Sequence, residues 1–124
     1  MEFKYVVSKR MEIAGCHHLD LPYESKCKNW HGHNWIVTVY VGADELEHDM
    51  VIDFTHIKRE IHNKLDHGNL NDIFDFNPSA ENIAKWIADK IDIMREGAKC
   101  IKVIIQESEG NIAIYNNVRG CTCK

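Results

Sequence analysis

Proline is nearly absent: Pro22 and Pro78 are the only two in 124 residues. No stretch rich in proline, glycine and serine divides the chain, so nothing supports a second domain. A basic tail or stripe is also missing. Lys plus Arg number 15 against 19 Asp plus Glu, a formal net charge of −4. Nucleic-acid affinity rests on clustered cations meeting phosphates, so no nucleic-acid partner is expected. The strongest apolar stretch, around 35–43, falls far short of the ~20 residues a membrane helix needs. Residues 1–13 mix charged and apolar positions and lack the apolar core of a signal peptide. The expectation is a cytoplasmic protein with no membrane partner. The five cysteines, Cys16, Cys27, Cys100, Cys121 and Cys123, are odd in number and unevenly spaced. That pattern is not a secreted disulfide framework.

What is present is ordinary for a globular protein: 44% hydrophobic and 27% charged residues. One domain over 1–124 is expected, able to bury roughly two-thirds of its unfolded surface without disulfides. Apolar residues alternate through Phe3, Tyr5 and Val7 and again at Met11 and Ile13, which predicts a first strand. Residues 14–30 lack periodicity and read as a long functional loop. A second strand is predicted over 35–41, an acidic hairpin tip over 44–49, and a short third strand over 50–52. Asp53 is a candidate N-cap for a helix carrying Phe54, Ile57, Ile61 and Leu65, closed by Gly68. A second helix starts near Asn77-Pro78, with proline at its first position, and shows the stripe Ile83, Ile87, Ile91 and Met94. Two last strands, 100–107 and 112–118, flank a turn at 109–111. The order is ββ(β)α–α–ββ, and the fold class is α+β, a four-stranded antiparallel sheet, the short strand over 50–52 not counted, with two helices on one face.

Eight histidines are the first sign of chemistry. His31-Gly32-His33 opens the second strand, where residues i and i+2 share a face, so both rings can reach one ion. His17 stands at the end of strand one and falls beside them if the two strands pair. His18 is the competitor for that place. Three neutral imidazoles suit Zn²⁺ with one coordination position left open; the alternative is a chance pair on a polar strand face. His48, His56 and His62 read as solvated positions.

Cys27 lies between Lys26 and Lys28, and neighbouring cations favour a thiolate able to act as base or nucleophile. Packing as a small hydrophobe is the other reading. Asp66-His67 pairs a carboxylate with an imidazole, as acid/base work requires, although spacing alone is met by a helix C-terminus that favours a cation near the dipole. Glu107 follows Ile101, Val103 and Ile105 on one strand face. A carboxylate continuing a core-facing row needs a partner, and one at the bottom of a pocket suits two N–H donors of a planar heterocycle. Otherwise it escapes to solvent at the strand end. Cys121 and Cys123 read as incidental, and Cys100 as packing.

These pieces, in this order, resemble the 6-pyruvoyltetrahydropterin synthase/6-carboxytetrahydropterin synthase family over nearly the whole chain. The segments are Ala14-Gly15-Cys16-His17, Cys27-Lys28-Asn29-Trp30-His31-Gly32-His33, Met50-Val51-Ile52-Asp53-Phe54, Leu65-Asp66-His67-Gly68-Asn69-Leu70-Asn71, Asn77-Pro78-Ser79-Ala80-Glu81-Asn82 and Gln106-Glu107-Ser108. The resemblance implies zinc held by His17, His31 and His33, Cys27 as the proton-abstracting base, and Asp66 with His67 as a second acid/base pair. It implies Glu107 as the anchor of a pterin ring and Ser79 as a further contact to that ring. It implies the tunnelling fold, in which subunits join sheets into a barrel, as a homo-oligomer (a hexamer built as a dimer of trimers). The implied substrate is dihydroneopterin triphosphate. The implied product is 6-carboxytetrahydropterin, with acetaldehyde and triphosphate released, in 7-deazaguanine (queuosine-type) synthesis. The alternatives are triphosphate elimination to 6-pyruvoyltetrahydropterin and a zinc-binding module without catalysis; aldol-type cleavage of dihydroneopterin derivatives is disfavoured, because Lys28 and Asn29 supply no acid beside Cys27. The chain departs from the family pattern at Gly15, Cys16, Asp49 and Gln106. Cys16, beside a ligand, is a rival for the metal's fourth position.

Overall fold

Alternating apolar residues build a long hairpin that carries the rest of the molecule. A computed structural model describes residues 2–117. β1 (Tyr5–His17) and β2 (His31–Ala43) pair antiparallel from Tyr5↔Ala43 to His17↔His31. Side chains alternate between faces in a strand. Met11 and Ile13 of β1 and Trp35, Val37, Val39 and Val41 of β2 therefore share one buried face. β3 (Gly68–Asn69), β4 (Ala98–Ser108) and β5 (Asn111–Asn116) complete a sheet of order β3-β1-β2-β4-β5.

Helices cover that face. α1 (Phe54–Ile57), a π-helical segment (Lys58–His62) and α2 (Asn63–Leu65) follow without a break. Asp53 caps the start by accepting from the Thr55 N–H at 2.9 Å, and Ile57, Ile61 and Leu65 are buried. After α3 (Leu70–Ile73), α4 (Ala80–Asp92) buries Ile83, Ala84, Ile87, Ala88 and Ile91. Each isoleucine so buried contributes about 1.5–3 kcal/mol.

The architecture departs from the sequence expectation at several points. β1 runs past Ile13 to His17, because β2 pairs it on one side and β3 on the other. The sheet has five strands rather than four, and β3 lies parallel to β1 rather than antiparallel. Gly68 opens β3 instead of closing a helix. His67 turns the chain with φ 59°, and a Cβ at Gly68 would stand 2.9 Å from Leu65 O. The expected strand over 50–52 does not form. His48 and Asp49 take positive φ values of 53° and 65° and close a turn bridged by Glu47 and Met50. Val51 and Ile52 are buried outside the sheet, and Arg95 Nη1 donates to Val51 O at 2.7 Å. Pro78 precedes α4 rather than starting it, since Ser79 is the cap. In β4 a register shift against Tyr40 and Val41 puts Cys100, Val103 and Ile105 in the core and leaves Ile101 half-buried. The last strand ends at Asn116; Val118, Cys121 and Cys123 lie outside the described residues.

Candidate metal centre

The β1–β2 register decides the site. His17 faces His31 directly, and His33 faces Gly15. All three rings therefore project from the helix-covered face, with ring centroids 4.4 Å (His17–His31), 4.7 Å (His31–His33) and 5.4 Å (His17–His33) apart. Trp35 lies beside them, 4.8 Å from His17 and 5.2 Å from His33 between centroids, and its indole N–H donates to Gly15 O at 3.1 Å.

Backbone carbonyls fix the tautomers. His17 Nδ1 lies 2.7 Å from Pro78 O, and His31 Nδ1 lies 2.7 Å from Asn29 O. A carbonyl only accepts, so each Nδ1 carries the proton and each Nε2 keeps its lone pair, the arrangement that suits a metal-ligating imidazole. β4 supplies Glu107, whose Oε2 is 3.4 Å from His17 Nε2 and whose Oε1 is 3.8 Å from His33 Nε2. One ligand atom from each of His17, His31, His33 and Glu107 lies within 4.8 Å of every other.

A metal ion fits these residues on two observations. His17 Nε2 and His33 Nε2 are buried and have no hydrogen-bond partner, and a buried polar atom left so is costly unless something else satisfies it. Burial also holds the pKa of His17 and of His33 below the ordinary histidine value. For His17 the Pro78 hydrogen bond opposes this, and for His33 the Glu107 charge does. Neutral imidazole is the form that binds metal. His18 is not part of the set: its ring meets Trp30, 4.3 Å away between centroids. Cys16 pairs with Gly32 and so points to the opposite face of the sheet, its Sγ 3.9 Å from Gly68 O. It does not occupy the fourth position.

The remaining predicted residues are placed around this centre. Cys27 is exposed on a 3₁₀ turn (Lys26–Lys28) capped by Ser25, and its carbonyl accepts from the Leu19 N–H at 2.7 Å. Lys28 Nζ stands 3.7 Å from Glu24, so that cation is shared with a carboxylate. Asp66 Oδ1 accepts from the Ala14 N–H at 2.9 Å, and Asp66 Oδ2 lies 2.8 Å from His67 Nδ1. The Ala14 hydrogen bond, more than the neighbouring histidines, keeps the Asp66 carboxyl below the usual range. The His67 N–H donates to Ala14 O at 2.6 Å, pinning the pair to the outer edge of β1. The His67 side chain is 84% exposed. Together with Cys16, Asn34 and Gly68 it lines a cleft of about 430 Å³. Ser79 Oγ accepts from the Asn82 N–H at 3.2 Å, next to the Pro78 that holds His17. His62, expected to be solvated, is half-buried with Nε2 3.8 Å from Asp66. The approach of Glu107 to the histidine nitrogens was not expected. Its only signal was an acid continuing a core-facing row.

Comparisons with known proteins identify the family. A family profile described as 6-pyruvoyl tetrahydropterin synthase matches residues 6–118. A Bacillus subtilis protein named 6-carboxy-5,6,7,8-tetrahydropterin synthase is 27% identical over 95% of this chain and 89% of its own. A Synechocystis protein of the same name is 35% identical over 71% and 75%. A Drosophila melanogaster 6-pyruvoyl tetrahydrobiopterin synthase is 32% identical over 88% and 77%. Among solved structures, the Caenorhabditis elegans 6-pyruvoyl tetrahydropterin synthase superposes with TM-score 0.69 at 25% identity, covering 95% of this chain and 100% of its own. The Plasmodium falciparum enzyme, at 17% identity and TM-score 0.63 over 91% and 97%, shares the fold. With a family profile matched over residues 6–118 and the architecture shared with solved members, the chain belongs to the 6-pyruvoyl tetrahydropterin synthase family and has that family's tunnelling fold.

Proposed function

We propose that this chain is a zinc-dependent 6-carboxytetrahydropterin synthase acting on dihydroneopterin triphosphate. The observation that carries the reading is the convergence of one ligand atom from each of His17, His31, His33 and Glu107 within 4.8 Å of one another. Zinc bound by His17, His31 and His33 supplies Lewis acidity that acidifies the side-chain hydroxyls of the substrate and balances developing negative charge. Cys27 removes a proton from that side chain. His67, its Nδ1–H held by Asp66, exchanges a proton on the opposite side. Glu107 accepts from the ring N–H groups. The hydroxyl of Ser79, whose oxygen already accepts from Asn82, still has its hydrogen to donate to the ring. Asp66 and His67 sit on the outer edge of β1, and in the proposed assembly a neighbouring copy presents them to Cys27. The sheet fits that arrangement: among the described residues β5 is an end strand, and an uncovered strand edge needs a partner, while its Ile112 and Ile114 side chains are 57% and 55% exposed. The assembly is a hexamer formed as a dimer of trimers.

The names of the Bacillus and Synechocystis relatives favour the carboxy product. The Drosophila relative, aligned over 88% of this chain, favours a second reading: triphosphate elimination to the 6-pyruvoyl product. Incubation of zinc-loaded protein with dihydroneopterin triphosphate, followed by mass identification of the pterin, separates them. The carboxy pterin with acetaldehyde is expected. The pyruvoyl pterin selects the second reading, and no turnover by protein of full zinc content leaves a zinc-binding module without catalysis.

A further inference from the structure

Two asparagine side chains grip the backbone just beyond His17. Asn71 Oδ1 accepts from the His18 N–H at 2.9 Å, and Asn71 Nδ2 donates to His18 O at 3.1 Å. Asn77 repeats the pattern on Asp20, with Oδ1 accepting from its N–H at 2.9 Å and Nδ2 donating to its carbonyl at 3.0 Å. Each amide gives one residue the reciprocal donor and acceptor that a neighbouring strand gives in a ladder. Between the two gripped residues, Leu19 donates its N–H to Cys27 O at 2.7 Å. The His18 ring also meets Trp30 across the same loop. The loop over 18–30 thus leaves one histidine of the trio, His17, and re-enters at another, His31. Its path is set by backbone atoms that Asn71 and Asn77 hold.

We propose that Asn71 and Asn77 are positioning residues for Cys27. They fix residues 18–20, Leu19 in turn fixes the Cys27 carbonyl, and the thiol is thereby held at a set place relative to His17. Neither side-chain amide is bonded to a histidine ring. Asn71 is the cleaner handle, because Asn77 adjoins Pro78, whose carbonyl holds the His17 ring. The inference rests on the proposed role of the Cys27 thiol. Small displacements of a reacting group cost large factors in rate, which is what the clasps prevent.

The test uses zinc-loaded full-length protein. Asn71→Ala removes the clasp. Asn71→Asp keeps its size and acceptor but replaces the donor to His18 O, and guards against simple misfolding of the alanine variant. The expected result is kcat lowered about tenfold or more in both variants, since the carboxylate of Asn71→Asp would face the His18 carbonyl with a second acceptor, with KM within about twofold and zinc content unchanged. In a Cys27→Ala background Asn71→Ala should cause no further loss, because the two act through one group. Amide exchange at Leu19 should quicken about tenfold. Equal losses with and without the thiol, or a loss tracking zinc content, overturn the inference. Unchanged exchange at Leu19 overturns the clasp alone, whereas parent turnover in Cys27→Ala removes the catalytic reading on which it rests.

Discussion

Glu107 Oε2 stands 3.4 Å from His17 Nε2, and the two come from strands separated by β2. The contact places a carboxylate beside the imidazole trio, where it can act as a fourth metal ligand or as an acceptor for a bound ring. Three histidines suffice for a zinc site that keeps a position open. Glu107→Gln is therefore expected to retain zinc at the parent stoichiometry. It should lower kcat/KM by about ten- to a hundredfold, the loss of a charge-assisted hydrogen bond worth about 1.5–3 kcal/mol. Metal analysis beside steady-state kinetics decides it: loss of zinc makes Glu107 a ligand.

Ser79 serves two partners in the proposed site, and substitution should report both. Its oxygen caps α4 through Asn82. Ser79→Ala should cost about 1 kcal/mol of stability, read as a lower Tm. It should also raise KM for the pterin, because the donated hydrogen bond is lost. Ser79→Thr should restore Tm and KM together. A Tm change without a KM change would confine Ser79 to capping.

His31-Gly32-His33 was legible because its face is fixed by the period of two, and the Asp53 cap and the Ile83, Ile87, Ile91 stripe were equally local. The end of β1 was not. Ala14, Gly15 and Cys16 show no alternation, and they are extended only because strands lie on both sides. Val51 and Ile52 look like strand residues by type, yet what buries them is the turn at His48–Asp49 and the tie to Arg95. The spacing of four from Ile57 to Ile61 to Leu65 announced a helix but not its π segment, which keeps all three buried. The Glu107 contact depends on the β2–β4 register, and the Asp66–Ala14 bond spans 52 residues. No local pattern fixes either.

Cys100 gives an alkaline test of the core. Burial, with Asp92 nearby, pushes its thiol from 9.0 up to about 12. A group whose folded pKa is raised contributes stability below its unfolded pKa and loses it as pH rises. Between about pH 9 and 12 the unfolded chain gives up a proton that the folded chain keeps. This thiol therefore costs about 1.4 kcal/mol of stability per pH unit there. Cys100→Ala should be about 1 kcal/mol less stable than the parent at pH 8. The deficit should shrink and then reverse towards pH 11 in denaturant titrations. A constant deficit would mean that the thiol does not remain protonated in the fold.

Asp66 and His67 are tied to the outer edge of β1 by the Ala14 amide and carbonyl, while the histidine trio projects from the helix-covered face of the same hairpin. A site built from Cys27 of one copy and His67 of another makes a specific demand on mixtures. Cys27→Ala and His67→Ala should each retain zinc and lose turnover, since neither residue belongs to the ligand set. Dissociated, mixed in equal amounts and reassembled, the two variants leave about one site in four with both groups intact. Turnover should return to roughly a quarter of the parent rate, and it should not return when the variants are mixed without subunit exchange. If both residues act within one chain, every site in the mixture lacks one of them and the mixture stays inactive however long exchange is allowed. Size-exclusion chromatography of the reassembled sample confirms that oligomers re-formed, so an inactive mixture of correct size would place the whole catalytic set in a single subunit.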